Sequence, residues 1–209
     1  MMETKPEPAV TVHHSNVGVS IFGRMSDGLI EMLWRVFILF LHVFFRLVMY
    51  VRREGPHLPS GPVILAPNHC SFIDPVLAQI VCWRHLSSMM TEVYYNLWYL
   101  RWFFRWFRSI PVKEGRGNRD ALEVAIDRVK QGWALCIYPE GGISKDGKLQ
   151  KFQPGIAALA EATRAPVVPM AIIGSYEAFP RHAKFPKLFR SYIVRIGEPI
   201  PPPEDSDEG

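Results

Sequence analysis

Cysteine is scarce in this 209-residue chain. Cys70, Cys82 and Cys136 form no Cys-x-x-Cys pair, which removes a disulfide scaffold and argues for a reducing compartment. Long uncharged apolar runs are also missing. The longest stretch without Asp, Glu, Lys or Arg in the most hydrophobic segment is 36–45, ten residues, whereas a spanning helix needs roughly 18. No basic secretory start is present, since residues 1–8 carry Glu3, Lys5 and Glu7 among prolines. A Gly-x-Ser-x-Gly elbow is absent, because Asp146 occupies the second glycine place after Ser144; this disfavours a serine hydrolase. Internal repeats and low-complexity tracts are lacking, and 48% hydrophobic content excludes a disordered body. What remains is one domain of ordinary size, able to bury about 70% of its unfolded surface in a single core.

The net charge of +4 conceals an asymmetry. Residues 201–209 carry −4 and residues 1–8 carry −1, which leaves +9 on residues 9–200. A basic body favours anionic partners: phosphate-bearing small molecules, a membrane surface or nucleic acid. The placement of the aromatics discriminates among these. Nine of the fourteen residues 94–107 are aromatic, with Arg101, Arg105 and Arg108 recurring at helical spacing. Tryptophan and tyrosine prefer the headgroup level, and arginine pairs with phosphate or stacks on rings. The aromatics are concentrated on an apolar helix instead of being interleaved through an exposed groove, so no nucleic-acid partner is expected.

Residues 29–51 form a second apolar helix, interrupted only by Glu31, Arg35, His42 and Arg46. At 100° per residue these four fall within about 60° of one another, a thin polar stripe on a helix otherwise apolar all round. Three arrangements suit such a helix: lying in a membrane interface, burial in a core, or spanning with its stripe hidden; the interfacial one fits the pattern best.

Beyond it, strand and helix patterns alternate. Short apolar runs at 62–67, 86–91, 133–138, 166–173 and 191–196 read as strands. Helices are expected over 75–83 with Asp74 as N-cap and Pro75 at the first helical position, over 118–132 with Asn118 as cap, and over 155–164. The expected fold class is α/β, a mixed sheet flanked by helices and preceded by an N-terminal membrane-interface helix. The organisation follows: a flexible arm at 1–26, a membrane-attachment helix at 27–55, the main domain at 56–200 and an acidic tail at 201–209.

Chemistry-bearing residues gather where strands end. His69 follows the first of these strands and Asp74 comes five residues later. An imidazole can take a proton from an alcohol near pH 7, and a carboxylate on its other nitrogen fixes the tautomer and stabilises the imidazolium. The bland alternative is an Asp-Pro helix start beside a packed histidine. Glu140 lies in the glycine turn Tyr138-Pro139-Glu140-Gly141-Gly142, where a ligand can approach the backbone. Lys113 and Arg116 lie on a loop ahead of a helix N-terminus, suited to phosphate. Pro169 interrupts what otherwise reads as a core strand. A Cys70 acyl-enzyme is disfavoured because the thiol adjoins the base in sequence. A zinc site would lack a clear third ligand, since His13 and His14 lie in the arm.

Four ordered blocks carry a resemblance: Asn-His-Cys-Ser-Phe-Ile-Asp at 68–74, Ser-Ile-Pro-Val-Lys at 109–113, Tyr-Pro-Glu-Gly-Gly-Ile-Ser at 138–144 and Val-Val-Pro-Met at 167–170. Together, over about residues 60–200, they resemble the glycerolipid acyltransferases of the 1-acyl-glycerol-3-phosphate (lysophosphatidate) type. The preceding apolar helix is similar to that family's membrane-attachment segment. The resemblance implies that His69 is the general base activating an acceptor hydroxyl for attack on an acyl thioester, with Asp74 orienting it. It implies that Glu140 and Gly141 help hold the acceptor, with Gly142 beside them, that Lys113 occupies the second block's basic position, and that Pro169 lies at the back of the site. Implied partners are an acyl-CoA or acyl-carrier-protein donor, a lysophospholipid acceptor and the bilayer, at the cytoplasmic face. No metal and no cofactor beyond the thioester co-substrate are implied. One departure is plain: the family's third block continues Glu-Gly-Thr-Arg-Ser, whereas Gly142 and Ile143 occupy the Thr and Arg places here. Arg116, Lys145 and Lys148 are the cations available to compensate, unless the acceptor is another lysolipid or a hydroxylated acyl lipid; a non-catalytic membrane-binding protein on the same fold is the alternative from another class.

Overall fold

A computed structural model describes residues 21–99, 101–113, 118–187 and 189–202. They group into two compact units, 1–37 and 38–209, and the first helix, α1 (Ile21–Val48), runs through both. In the first unit Leu29, Met32, Leu33 and Val36 are exposed, and Arg35 lies 3.4 Å from Glu31 one turn earlier. The expected arm at 1–26 lies outside the described residues up to position 20, while 21–26 are already helical.

The second unit is built on a seven-stranded sheet: β1 (Val51–Glu54), β2 (Val63–Pro67), β3 (Leu86–Thr91), β4 (Ile110–Val112), β5 (Ala134–Cys136), β6 (Val167–Ile173) and β7 (Tyr192–Ile196). Their order across the sheet is β1-β7-β6-β2-β5-β3-β4. The neighbours from β6 to β4 are parallel, β6 and β7 are antiparallel, and β1 follows β7 in parallel. The sheet is mixed, as the alternation of elements implied. Strands buried on both faces read as continuous apolar runs, and β2 (Val-Ile-Leu-Ala-Pro) is one.

Side chains alternate between two cores. Val63, Leu65, Cys136, Val168 and Met170 pack on one face with Leu77, Ile80 and Val81 of α2 (Asp74–Cys82). Ile64 and Leu135 pack on the other with Ala121, Ala125 and Val129 of α5 (Arg119–Lys130) and Leu159 of α6 (Gly155–Thr163). The i, i+4, i+8 spacing of the α5 residues is the helical signature of a single buried stripe. Short helices α3 (Glu92–Tyr95), α4 (Arg101–Trp106) and α7 (Ser175–Ala178) complete the unit.

Four expectations require correction. The first helix stops at Val48, and residues 51–54, assigned to it from sequence, form β1. Two arginines in Val-Arg-Arg-Glu mask a short charged strand of the kind that suits a sheet edge. The aromatic segment 94–107 is not one helix: it holds α3, a break that follows Asn96, and α4. Aromatic residues lose rotamer freedom in helices and asparagine favours turns, so this composition does not sustain a long one. Residues 110–112, given no strand from sequence, form β4. The N-cap of α2 is Ile73, without a side-chain cap bond, because the Asp74 carboxylate is turned back onto the preceding loop.

Within the second unit, α1 serves two environments. Phe45 and Met49, just beyond its end, join the core with Leu41 and Val48 against it, whereas Leu39, Phe40, Val43, Phe44 and Leu47 are exposed. His42, part of the polar stripe, faces α2, with Nδ1 3.4 Å from the Ile80 carbonyl oxygen. A helix apolar on all sides is therefore half core element and half exposed apolar face. Among the described residues no helix is long and apolar enough to cross a membrane.

Two glycines test the packing at the sheet edge. Gly55 (φ 89°) and Gly61 (φ 88°) share a left-handed backbone, but a Cβ on Gly55 would lie 1.9 Å from the Ile196 carbonyl oxygen while one on Gly61 would meet open space. Gly61→Ala should cost about 1–2 kcal/mol, the left-handed penalty alone. Gly55→Ala should cost more than about 4 kcal/mol, because backbone must move. Urea midpoints measure both, and equal losses would show that the Ile196 contact is irrelevant.

Candidate active site

Loops after parallel neighbouring strands emerge on the same edge of a sheet, which is where ligands of α/β folds gather. Strands β6, β2 and β5 are such neighbours, and their C-terminal loops supply Ser175–Phe179, Asn68–Asp74 and Tyr138–Gln153 respectively.

His69 and Asp74 meet at the centre. His69 Nδ1 lies 3.0 Å from Asp74 Oδ2, and the Asp74 side chain is fully buried while 15% of the His69 side chain remains accessible. The same oxygen accepts the backbone N–H groups of Cys70 and Ser71, both at 2.7 Å. An oxygen that accepts two amides is an acceptor toward the ring as well, so Nδ1 carries the hydrogen and Nε2 presents its lone pair. Asp74 also opens α2, where the positive end of the helix dipole favours a negative charge.

The backbone of His69 is clamped from the β5 side. Its N–H donates to Glu140 Oε1 at 2.8 Å, and its carbonyl accepts the Ser144 N–H at 2.8 Å. Glu140 Oε2 accepts the Gln150 N–H at 3.1 Å, so this carboxylate staples the loop 139–153 to the loop after β2. The turn that aims it has Pro139 at the second position and closes with the Gly141 N–H donating to the Tyr138 carbonyl at 3.0 Å. Gly141 has φ 74°, which a side chain would strain, whereas nothing lies near a Cβ built on Gly142. Above the base, the Tyr138 ring stacks on the His69 imidazole with centroids 4.0 Å apart and 26° between planes.

From the other side, Asn68 extends the β2–β6 pairing through its side chain. Its Nδ2 donates to the Ile172 carbonyl at 3.0 Å, and its Oδ1 accepts the Ile172 N–H at 2.6 Å. The Ser71 hydroxyl donates to the Phe179 carbonyl at 2.6 Å, and the Phe72 ring contacts both Tyr94 and Phe179. Alternative nucleophiles are occupied. Burial raises the Cys70 thiol above its ordinary pKa, and its Sγ contacts the Gly147 carbonyl; Ser144 is fully buried, its hydroxyl donating to Lys148 O at 2.8 Å.

The remaining sequence-derived residues are distributed unevenly. Lys113 is exposed just past β4, on the same sheet edge but three strands from β2, about 14 Å at the usual strand spacing. Arg116 lies outside the described residues. Pro169 pairs with Ala66, on the sheet face opposite the core face of Val168 and Met170, and its ring packs over Gly197. Its carbonyl accepts the Gly197 N–H at 2.9 Å at the end of the β6–β7 ladder, where the donor that proline lacks would otherwise point. Sequence reasoning passed over Asn68 and Tyr138 as working residues. The signal for Asn68 was a lone carboxamide at a strand end, beside the histidine.

Asn68→Ala removes two bonds to Ile172, whose backbone groups then lie unpaired beside a 3% exposed residue. The variant should lose about 1–3 kcal/mol of stability in urea denaturation. An unchanged midpoint would mean that the carboxamide is replaceable by water.

Comparison with known proteins gives the chain a family. The acyltransferase family model matches residues 50–173. A 1-acyl-sn-glycerol-3-phosphate acyltransferase of Cocos nucifera is 29% identical over 153 residues, covering 69% of this chain and 50% of that protein. The chloroplastic 1-acyl-sn-glycerol-3-phosphate acyltransferase BAT2 of Brassica napus is 28% identical, covering 59% and 37%. Taffazin of Dictyostelium discoideum is 28% identical, covering 69% and 54%. The chain thus spans about half or less of the length of these relatives. Among solved structures, the 1-acyl-sn-glycerophosphate (LPA) acyltransferase PlsC of Thermotoga maritima superposes with a TM-score of 0.63 at 26% identity, covering 76% of this chain and 64% of that one. Since the family match takes in more than half of the chain, including the loops 68–74 and 138–153 around His69, this chain belongs to the acyltransferase family.

Proposed function

We propose that the chain is an O-acyltransferase that moves a fatty acyl group from a thioester, acyl-CoA or acyl-carrier protein, to the free hydroxyl of a lysophospholipid, converting lysophosphatidate to phosphatidate. The observation that carries this reading is the 3.0 Å contact between His69 Nδ1 and the buried Asp74 carboxylate, with the imidazole still accessible. His69 Nε2 takes the proton of the acceptor hydroxyl as its oxygen attacks the thioester carbonyl carbon. Asp74 stabilises the imidazolium that results. The tetrahedral intermediate expels the thiolate, the C–S bond breaks, and the imidazolium returns the proton to sulfur. The products are an ester and a free thiol, and His69 is neutral again.

The relatives named above support lysophosphatidate as acceptor. A second acceptor, another lysolipid, is favoured by one observation: Gly142 and Ile143 occupy the places of the family's threonine and arginine, so that arginine's charge is absent there. Lys113, Lys145 and Lys148 are the described cations that would meet a phosphate in its place. A panel of lysolipid acceptors with one thioester donor, read by product mass, decides between the two.

Attachment to the cytoplasmic leaflet as a monotopic protein is part of the same reading. It is supported by the exposed apolar side chains of α1, and by Trp98 and Trp102, which are 86% and 66% exposed. Apolar burial in an interface is insensitive to salt.

His69→Ala should lower turnover by about 100-fold or more with little change in fold, checked by circular dichroism. Asp74→Asn should do similar damage, because a carboxamide can donate to Nδ1 and so place the ring hydrogen on Nε2. A His69→Ala enzyme that retains most of its rate overturns the mechanism. For attachment, the protein should float with neutral phosphatidylcholine vesicles in high salt, and Phe40→Ser with Phe44→Ser and Leu47→Ser should weaken flotation. Wild-type protein that stays with the soluble fraction would reject the interfacial reading.

A further inference from the structure

Beyond the His69–Asp74 pair, we propose that Tyr138 is a positioning residue: its ring face seats the His69 imidazole and supports the charged form of that ring during proton transfer. The proposal rests on the reading of His69 as the base and adds a third participant to it.

The geometry is specific. An imidazole has two edges and two faces. Asp74 holds the Nδ1 edge, the Nε2 edge is left for the acceptor, and one face lies on Tyr138 with centroids 4.0 Å apart and planes 26° from parallel. Tyr138 itself cannot move freely. It is 9% exposed, it lies two residues past the end of β5, and the Ile137 N–H donates to Leu65 O at 3.0 Å on one side while its own carbonyl accepts from the Gly141 N–H at 3.0 Å on the other. The ring therefore acts as a wall fixed to the sheet, and His69 is held by that wall on one face and by the Asp74 carboxylate on one edge.

A phenol ring carries negative electrostatic potential on its face. That face attracts a cation placed over it, the more so where water is excluded. The neutral imidazole gains little from it, whereas the imidazolium formed when His69 accepts the hydroxyl proton gains more. The interaction is thus stronger in the transition state than in the ground state, which is the condition for it to raise kcat. The hydroxyl has no part in this. Burial first, then the neighbouring Cys136 and Asp74, push its pKa well above the ordinary tyrosine value, so it remains neutral and is no second base.

The other titratable groups around the base are Asp74 from α2, Glu140 from the loop after β5, Cys70 in the base's own loop, and Glu177 from α7, whose charge reaches Cys70. Cys136, beside Tyr138, hydrogen-bonds its hydroxyl; Tyr138→Phe removes that bond while keeping the ring face, so a pH profile displaced in the Leu variant and not in the Phe variant reports the ring.

The test uses the full chain with Tyr138→Phe and Tyr138→Leu, assayed with one thioester donor and one lysophosphatidate. Phe keeps the face and should stay within about threefold of wild type. Leu keeps the bulk and removes the face: kcat should fall about 3- to 30-fold with KM little changed. The acid limb of the kcat profile should move to lower pH by about 0.5–1 unit, because an imidazolium without the ring is less stable. A Leu variant with the wild-type limb, or a Phe variant as damaged as Leu, overturns the proposal. Should Leu fail to fold, proton NMR of the wild-type protein decides. The His69 carbon-bound ring protons, assigned by their loss in His69→Ala, should lie upfield of ordinary histidine positions through the Tyr138 ring current. Ordinary positions would overturn the stack. A fully active His69→Ala enzyme would instead overturn the reading of the base, whatever the ring shifts show.

Discussion

A single carboxylate oxygen organises this site. Asp74 Oδ2 accepts the ring N–H of His69 and the backbone N–H groups of Cys70 and Ser71. A buried charge without partners would be costly, and three donors converging on one atom compensate it. They also wrap the loop 69–73 around the start of α2, so its shape and the direction of the imidazole are set together. The loop cannot relax without uncovering the charge, and the charge cannot leave without releasing the loop.

Around that oxygen, both neighbouring strands contribute restraints, each through its own chemistry. From β5 come the Glu140 carboxylate, the Ser144 amide and the Tyr138 ring; from β6 comes the Ile172 backbone, paired with Asn68. Parallel pairing of β2 with both strands makes this possible, because all three loops emerge at one edge. The resemblance assigned Glu140 to the acceptor. In the structure each of its oxygens accepts one backbone amide, which ties two loops together.

Much of this was legible in the sequence. Short apolar runs located five of the seven strands, and the helical spacing in 118–132 located α5 and its buried face. The pairing of His69 with Asp74 followed from Pro75, which fixes where the helix starts. What escaped notice had weak or ambiguous local signals. The charged strand β1 shows no alternation, and β4 is three residues long with a proline in it. The stack of Tyr138 on His69 joins residues 69 positions apart in the chain, and only the adjacency of β2 and β5 brings them face to face. Pro169 had a signal, a proline within a core strand, but its explanation lies in the end of the β6–β7 ladder.

The double duty of α1 bears on how this protein can be divided. The family match begins at residue 50, which invites the view of an independent catalytic module hung on a detachable anchor. Phe45 and Met49 contradict that view, since they fill the same core as Leu65 and Leu77. A chain shortened to the family boundary would carry a socket where those side chains belong, open to solvent and lined by apolar residues. Residues 38–49 and the sheet are therefore a single folding unit. Whatever loosens that stretch from the sheet loosens the packing beneath the loop that holds His69 as well.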